Sequence, residues 1–568
     1  MSLSGARARR RVRRTNVLAA VMVAFALLAA GCGDDSGSDQ QGSATTAGAS
    51  ATTAATATTL APQTGGSLMI GLFAATQGFD PANVTVAGST NGMELAALYG
   101  TLVRYDAKTG AYQPQMAAGL EKSSDFTTWT IRLRNGVKFT DGTAFDAAAV
   151  KLNLERHMAT TARSSAKPAL LQFVDSITTP DSLTVVIKLK QAWAGFPFLL
   201  TVGPGMILSP AAIAKAGADL NSAPGDAGAG PFKLSSFRAG EVLVLTKNPD
   251  YWDGPVYLDE LRFVQVGTAD QSYIALENNT IQGAYIRDPV ALAEAKKDGF
   301  PSVLYPSPGG NIALLNSGVE VTCTGGAPAS VCAGKADGTK VRTTPPTSDV
   351  RVRRAVSHAI DRDVINERVW SGTGVVGASL LDTSSQYYAD VAFPDYNPTE
   401  ARRLVQEAKA AGWNGSLRVL TDTSNQAWGI AVKTMLEAVG ITVDLDTSKA
   451  LSAIIPQVAA NKDFEMASWG SGMDTSDADY FFTSGNFSST GRYGLRSTVF
   501  DAALDKMRLA SNLDEKKAAY KALSEAWAVE MPAVPIATVF AGLVHMKSLQ
   551  DVVLSGSIVF FDKAWIAK

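Results

Sequence analysis

Histidine is almost missing from this sequence: His157, His358 and His545 are the only three in 568 residues. Metal centres and acid–base catalysis lean on imidazole, so three scattered rings leave little for either. No Gly-x-Ser-x-Gly elbow, His-Glu-x-x-His pair or Walker loop occurs, which removes the usual signatures of hydrolases and nucleotide-handling enzymes. The run Gly372-Thr373-Gly374-Val375-Val376-Gly377 matches Gly-x-Gly-x-x-Gly, but it follows a helical stretch, Val364 to Trp370, and reads as a turn instead of a dinucleotide site. The acid cluster of Asp474, Asp477 and Asp479 lacks EF-hand spacing, so neither a metal nor a cofactor is expected. Positive charge is not in excess either. The formal charge is −2, and removal of a leader holding six arginines and no acid takes it to −8. A mildly acidic chain lacks the basic field that nucleic acid requires.

Residues 1–31 read as an address. Arg7 to Arg14 form a basic start, and the 14-residue apolar run Val17 to Ala30 follows. A membrane span needs about 20 apolar residues, whereas a secretory core needs about 7–15, so a signal peptide is expected. It ends in Leu28-Ala29-Ala30-Gly31-Cys32, which resembles the lipobox of bacterial lipoproteins and implies lipidation of Cys32. Residues 33–64, almost wholly Gly, Ser, Thr, Ala, Asp and Gln, cannot bury enough apolar surface to order themselves. With Cys32 they predict a lipid-anchored linker over 32–64. Cys323 and Cys332 sit in a Gly-, Ala- and Pro-rich insertion, Val321 to Thr347, and export favours a disulfide between them over a metal site without histidine.

The chain is too long for one core, and its patterning predicts an α/β architecture of two lobes around a crevice. Ser67 to Leu72 alternates as a strand, a turn follows at Gly78-Phe79-Asp80-Pro81, and Met93 to Tyr99 supply an apolar helix face. Thr128 to Leu133 and Leu183 to Leu189 alternate strictly and place a half-buried sheet between residues 115 and 190, while Asp146 caps a helix reaching Met158. A second block starts near Asn311 with the strand Ile312 to Asn316, followed by a helix capped by Ser348. Helix, strand, helix and strand then alternate over Glu400–Ala411, Leu417–Leu420, Gly429–Val439 and Ile441–Leu445, a βαβ rhythm that predicts a parallel-rich second sheet. A last helix, Asp514 to Glu530, precedes the strand Ala533 to Ile536.

Several of these segments, in this order, resemble solute-binding protein family 5, the peptide, oligopeptide and nickel receptors of ABC importers. The run Trp129-Thr130-Ile131-Arg132-Leu133-Arg134-Asn135-Gly136-Val137-Lys138-Phe139-Thr140-Asp141-Gly142-Thr143 is similar to the family's strand-and-turn segment nearly position by position. Gly228 to Phe232, Asn248 to Trp252, Leu314 to Asn316, Asp349 to Asp361 and Tyr396 to Ala401 keep the family order, so the likeness runs from Gly65 to Ile536. The resemblance implies a two-lobed, type II periplasmic-binding-protein-like fold with an additional subdomain in the first lobe. It divides the chain into a first lobe of 65–307 and 535–568, with the subdomain at about 112–228, and a second lobe of 308–534. It also implies a monomeric receptor without catalysis. A peptide or other small polar solute would be captured between the lobes and delivered to ABC permease subunits with their ATPases, at the outer face of the bacterial cell membrane. By the same likeness Asp474 is the expected anchor of a ligand amine, with Trp469, Gly470, Phe79 and Asn83 beside the ligand; here Ala478 replaces a family proline and two extra residues separate Trp469 from Asp474. Asn425 and Trp428 begin a helix after a strand, where an open α/β sheet presents ligand contacts. Hinges are expected near Ser307 to Asn311 and Met531 to Pro535. An exported hydrolase, or a sensor not coupled to import, stands as the alternative.

Overall fold

Strand Ser67–Leu72 forms where Leu68 and Ile70 alternate inward, and both side chains are fully buried. It lies parallel to Glu260–Gln265 and Gly283–Ile286 at the centre of an eight-stranded sheet. The computed structural model describes residues 61–307, 311–324, 329–470, 478–489 and 491–568. Cys32 and the proposed leader therefore lie outside the described residues, as does Asp474.

Along the first sheet the order is Ser302–Ser307, Ala537–His545, Gly283–Ile286, Ser67–Leu72, Glu260–Gln265, Val242–Lys247 and Phe232–Arg238, with Val375–Val376 also paired to Ala537–His545. A four-stranded antiparallel sheet, Ala117–Lys122, Thr128–Leu133, Thr184–Leu189 and Val174–Asp181, makes a separate layer. Helix Ala147–Met158 covers it, and the Asp146 carboxylate accepts from the Ala149 N–H as expected of an N-cap. The remaining large sheet runs Thr442–Asp446, Ser416–Leu420, Met466–Gly470, Asn311–Leu315 and Ala533–Pro535.

Two expectations change here. The five-stranded sheet is mixed: Ser416–Leu420 has parallel neighbours on both sides, but Asn311–Leu315 is antiparallel to both of its own. The βαβ rhythm covered only the parallel half, because the other strands arrive from distant parts of the chain. The helix Val350–Ala359 is capped by Asp349, whose carboxylate accepts from the Arg351 N–H, while the Ser348 hydroxyl donates backwards to the Pro345 carbonyl. The Gly-rich run at 372–377 is a turn plus the strand Val375–Val376, following helix Arg362–Trp370.

The chain passes between the eight-stranded and five-stranded sheets along paired segments. Ser302–Ser307 is antiparallel to Ala537–His545 in one sheet, and Asn311–Leu315 is antiparallel to Ala533–Pro535 in the other. Core residues divide unevenly. Leu68, Ile70, Phe79, Phe263 and Leu543 fill a core on the eight-stranded sheet. A larger core runs continuously from the four-stranded sheet, through Trp129 and Trp193, into the five-stranded lobe at Leu314, Trp428 and Trp527. Cys323 and Cys332 are disulfide-bonded beside the small hairpin of Glu320–Thr322 and Lys340–Arg342.

Candidate functional site

In an open α/β sheet the carboxyl ends of the strands leave the hydrogen-bonded ladder and carry side chains into a shared crevice. Both large sheets do this towards one cavity of about 450 Å³. From the eight-stranded side it is lined by Phe73, immediately after Ser67–Leu72, by Arg287, Asp288 and Pro289 after Gly283–Ile286, and by Val539. From the other side come Asp422, Ser424 and Asn425 beyond strand Ser416–Leu420, Ser468 to Gly470 at the end of Met466–Gly470, and Trp370.

The first wall is aromatic and cationic. Phe73 remains 43% exposed, and the Arg287 guanidinium carbon stands 5.3 Å from its ring centroid. Behind it Phe73 approaches Tyr285, whose hydroxyl shares a 2.6 Å hydrogen bond with that of Tyr305. Burial and the neighbouring Tyr305 push the Tyr285 hydroxyl well above the usual range, so it stays protonated. Asp288 is committed to its helix, accepting from the Ala291 N–H at 2.9 Å.

The second wall is polar and internally satisfied. Asp422 is buried and accepts from the Ser424 N–H and hydroxyl and, at 2.8 Å, from the Asn425 side-chain amide. Burial raises the Asp422 carboxyl, but the hydrogen bonds from Ser424 and Asn425 outweigh it and hold the group below the usual range. Asn425, turned onto Asp422, makes no side-chain cap to its own helix Gln426–Ala438. Trp469 is half-buried and hydrogen-bonds the Tyr493 hydroxyl, which fixes one edge of the indole while the ring lines the cavity.

Of the residues expected from the sequence, Asn425, Trp469 and Gly470 come together at this cleft. Phe79, Asn83 and Trp428 do not. Phe79 is fully buried edge-on to Phe237, because the turn after Gly78 is pinned by Asn221 and points the ring into the core. Asn83 is exposed and donates to Asp80 at 2.6 Å. Trp428 is buried within the five-stranded lobe, since the helix turns that side of its first turn onto the sheet. Reasoning from sequence missed Phe73, Arg287, Asp422 and Ser424; all sit within a few residues of a strand's carboxyl end, which is the signal that would have found them. None of the three histidines lines the cleft. Among the described residues no group of three or more His, Cys, Asp or Glu could hold a metal ion, and no helix is long and apolar enough to cross a membrane.

Comparison with known proteins places this geometry. The chain is 28% identical over 298 residues to a glutathione-binding protein GsiB of Pectobacterium atrosepticum, a match spanning about half of either chain (52% of each). The GsiB of Shigella dysenteriae is 25% identical over 458 residues, covering 76% of this chain and 82% of that protein. Among solved structures, a dipeptide-binding protein from Pseudoalteromonas sp. SM9913 in complex with Met-Leu superposes with a TM-score of 0.72 at 19% identity, over 88% of this chain and all of that one, which establishes the two-lobed fold. The model of bacterial extracellular solute-binding proteins, family 5, matches residues 111–493, more than half of the chain. A chain with this fold, this cleft and this match over most of its length belongs to the family 5 bacterial extracellular solute-binding proteins.

Proposed function

We propose that this protein is the substrate-binding component of an ABC importer, which captures a short peptide or similar small polar solute between its lobes and hands it to a membrane permease. The observation that carries the reading is the shared cleft of about 450 Å³, faced by the strand ends of both sheets. A cavity of that size suits a compact solute, and its walls offer aromatic surface, a guanidinium and backbone groups at strand ends, which suit a peptide-like ligand. The glutathione-binding and dipeptide-binding relatives point the same way. The family and its structural neighbours are binding proteins, and no covalent step is required of this cleft.

In this reading a solute touching both walls has higher affinity for the closed arrangement, and the permease recognises that arrangement. Flexure occurs where the paired segments pass between sheets, near 307–311 and 531–535. Asp474, following Gly470 in the chain, anchors the ligand amine. Cys32 carries the lipid, residues 33–64 tether a monomeric receptor to the outer face of the membrane, and the partners are the permease with its ATPases.

Protein purified from its native host, denatured and examined by mass spectrometry should release one small polar solute, which restores thermal stability when added back intact. Chemical turnover of that solute, or no stabilisation by it, would overturn the reading. Asp474→Asn should weaken an amine-bearing ligand by tenfold or more, and Cys32→Ser should release the protein from membranes; unchanged affinity or retention would remove the anchor and the lipid respectively.

A further inference from the structure

We infer that Arg287 is the ligand's carboxylate receptor and that the solute taken by this cleft bears a carboxylate. The inference rests on the cleft being the ligand site. Five other arginines turned inward hold a carboxylate: Arg104 with Asp562, Arg156 with Asp80, Arg353 with Glu530, Arg362 with Asp395 and Arg418 with Asp463, at 2.6–3.4 Å. Arg287 is half-buried and lines the cleft, yet among the described residues it has no hydrogen bond and no carboxylate within 4.0 Å. The two acids among the residues that line the cleft are occupied, Asp288 by the Ala291 N–H and Asp422 by Ser424 and Asn425.

What holds the guanidinium instead is the Phe73 ring at 5.3 Å. A cation over an aromatic face is oriented without consuming its N–H donors, so the planar fork remains available for a bidentate anion. Closing the lobes over an unpaired guanidinium would strip its water with nothing in return. A ligand carboxylate removes that penalty, so Arg287 makes closure conditional on the anion as well as binding it. Lysine, a point charge, would not reproduce the paired contact.

The test uses the mature protein stripped of ligand and two synthetic pools: tripeptides with free C-termini, and the same tripeptides as C-terminal amides. Wild type should bind the acids at least tenfold more tightly by competition titration, Arg287→Gln should reduce the preference below threefold, and Arg287→Lys should keep only part of it. Unliganded Arg287→Gln should melt as wild type does, which separates a lost contact from a lost fold. Equal binding of acids and amides by wild type, or an undiminished preference in Arg287→Gln, overturns the inference while leaving a peptide receptor in place. Amidated peptides carrying an internal glutamate, if bound as tightly as the acids, assign the contact to a side-chain carboxylate. If neither pool binds, the peptide reading fails, and non-peptide organic acids paired with their primary amides decide: acid-selective stabilisation lost in Arg287→Gln sustains the inference, and its absence ends it.

Discussion

The two halves of this protein meet in two contrasting ways. At one meeting Phe173 and Trp193, beside the four-stranded sheet, close on Tyr480 of the second lobe with ring centroids 4.7 to 6.1 Å apart, and all three are buried. That seam is continuous with the larger core. At the other meeting Phe73 and Arg287 face Asp422, Asn425 and Trp469 across the cleft. Aromatic groups occur at both, so composition does not distinguish them. The difference is whether the opposite wall supplies a partner. The seam is complete in itself and contributes stability, whereas the cleft, in the proposed reading, takes its partner from solution.

A matched pair of phenylalanines tests the contrast most strongly. Phe173→Ala should lower the unfolding free energy by about 3–5 kcal/mol, the range for a buried phenylalanine, as read by urea denaturation. A loss under about 1 kcal/mol would show that the seam is not core and break the comparison. Next in size, replacing Cys323 and Cys332 together by serine opens a loop closed across nine residues and should cost about 2–3 kcal/mol on chain-entropy grounds. Ligand affinity should stay within about twofold, because no described residue of the loop lines the cleft; a larger change would join it to the cleft. Phe73→Ala should do the reverse, changing stability by about 0.5 kcal/mol or less while weakening the co-purified ligand about tenfold in calorimetry, near 1.4 kcal/mol. Equal stability losses in the two phenylalanine variants would erase the distinction.

A pH profile sharpens it further. Burial, with Arg492 adding to it, pushes the Lys462 ammonium from its ordinary 10.5 down to about 7, and this residue stands beside the Tyr493 ring that supports Trp469. Above pH 7 the unfolded lysine still holds its proton while the folded one has lost it, so stability should climb from about pH 7 towards the ordinary lysine value of 10.5. Lys462→Met should flatten that rise, and Phe173→Ala should leave it unchanged. A wild-type profile that is level across this window would show the lysine to be solvated.

Regular elements were legible wherever a period and a stop signal coincided. Asp146 before Val150 and Leu154 marks a helix, and Thr128 to Leu133 a strand, because local backbone chemistry decides both. The antiparallel half of the second sheet was not, since Asn311–Leu315 and Ala533–Pro535 are neighbours only through the fold. The site was legible in part for a related reason. Asn425 follows from strand-end placement and Trp469 and Gly470 from the family likeness, but Phe73, Arg287 and Asp422 stand just past the residues where alternation ends, in segments that carry no period. Phe79 and Trp428 mislead in the opposite sense. An aromatic in a turn or a first helical turn can face either way, and only the packing of Phe237 or the second-lobe core turns these two inward.

Ladders clamp neighbouring segments in both sheets, Ser302–Ser307 against Ala537–His545 and Asn311–Leu315 against Ala533–Pro535. Two threads side by side bend readily across their width but resist torsion and sliding, since either would shear the ladders that clamp both ends. In the proposed opening and closing, a bend at this crossing would keep both ladders, and the same side chains would meet again at each closure.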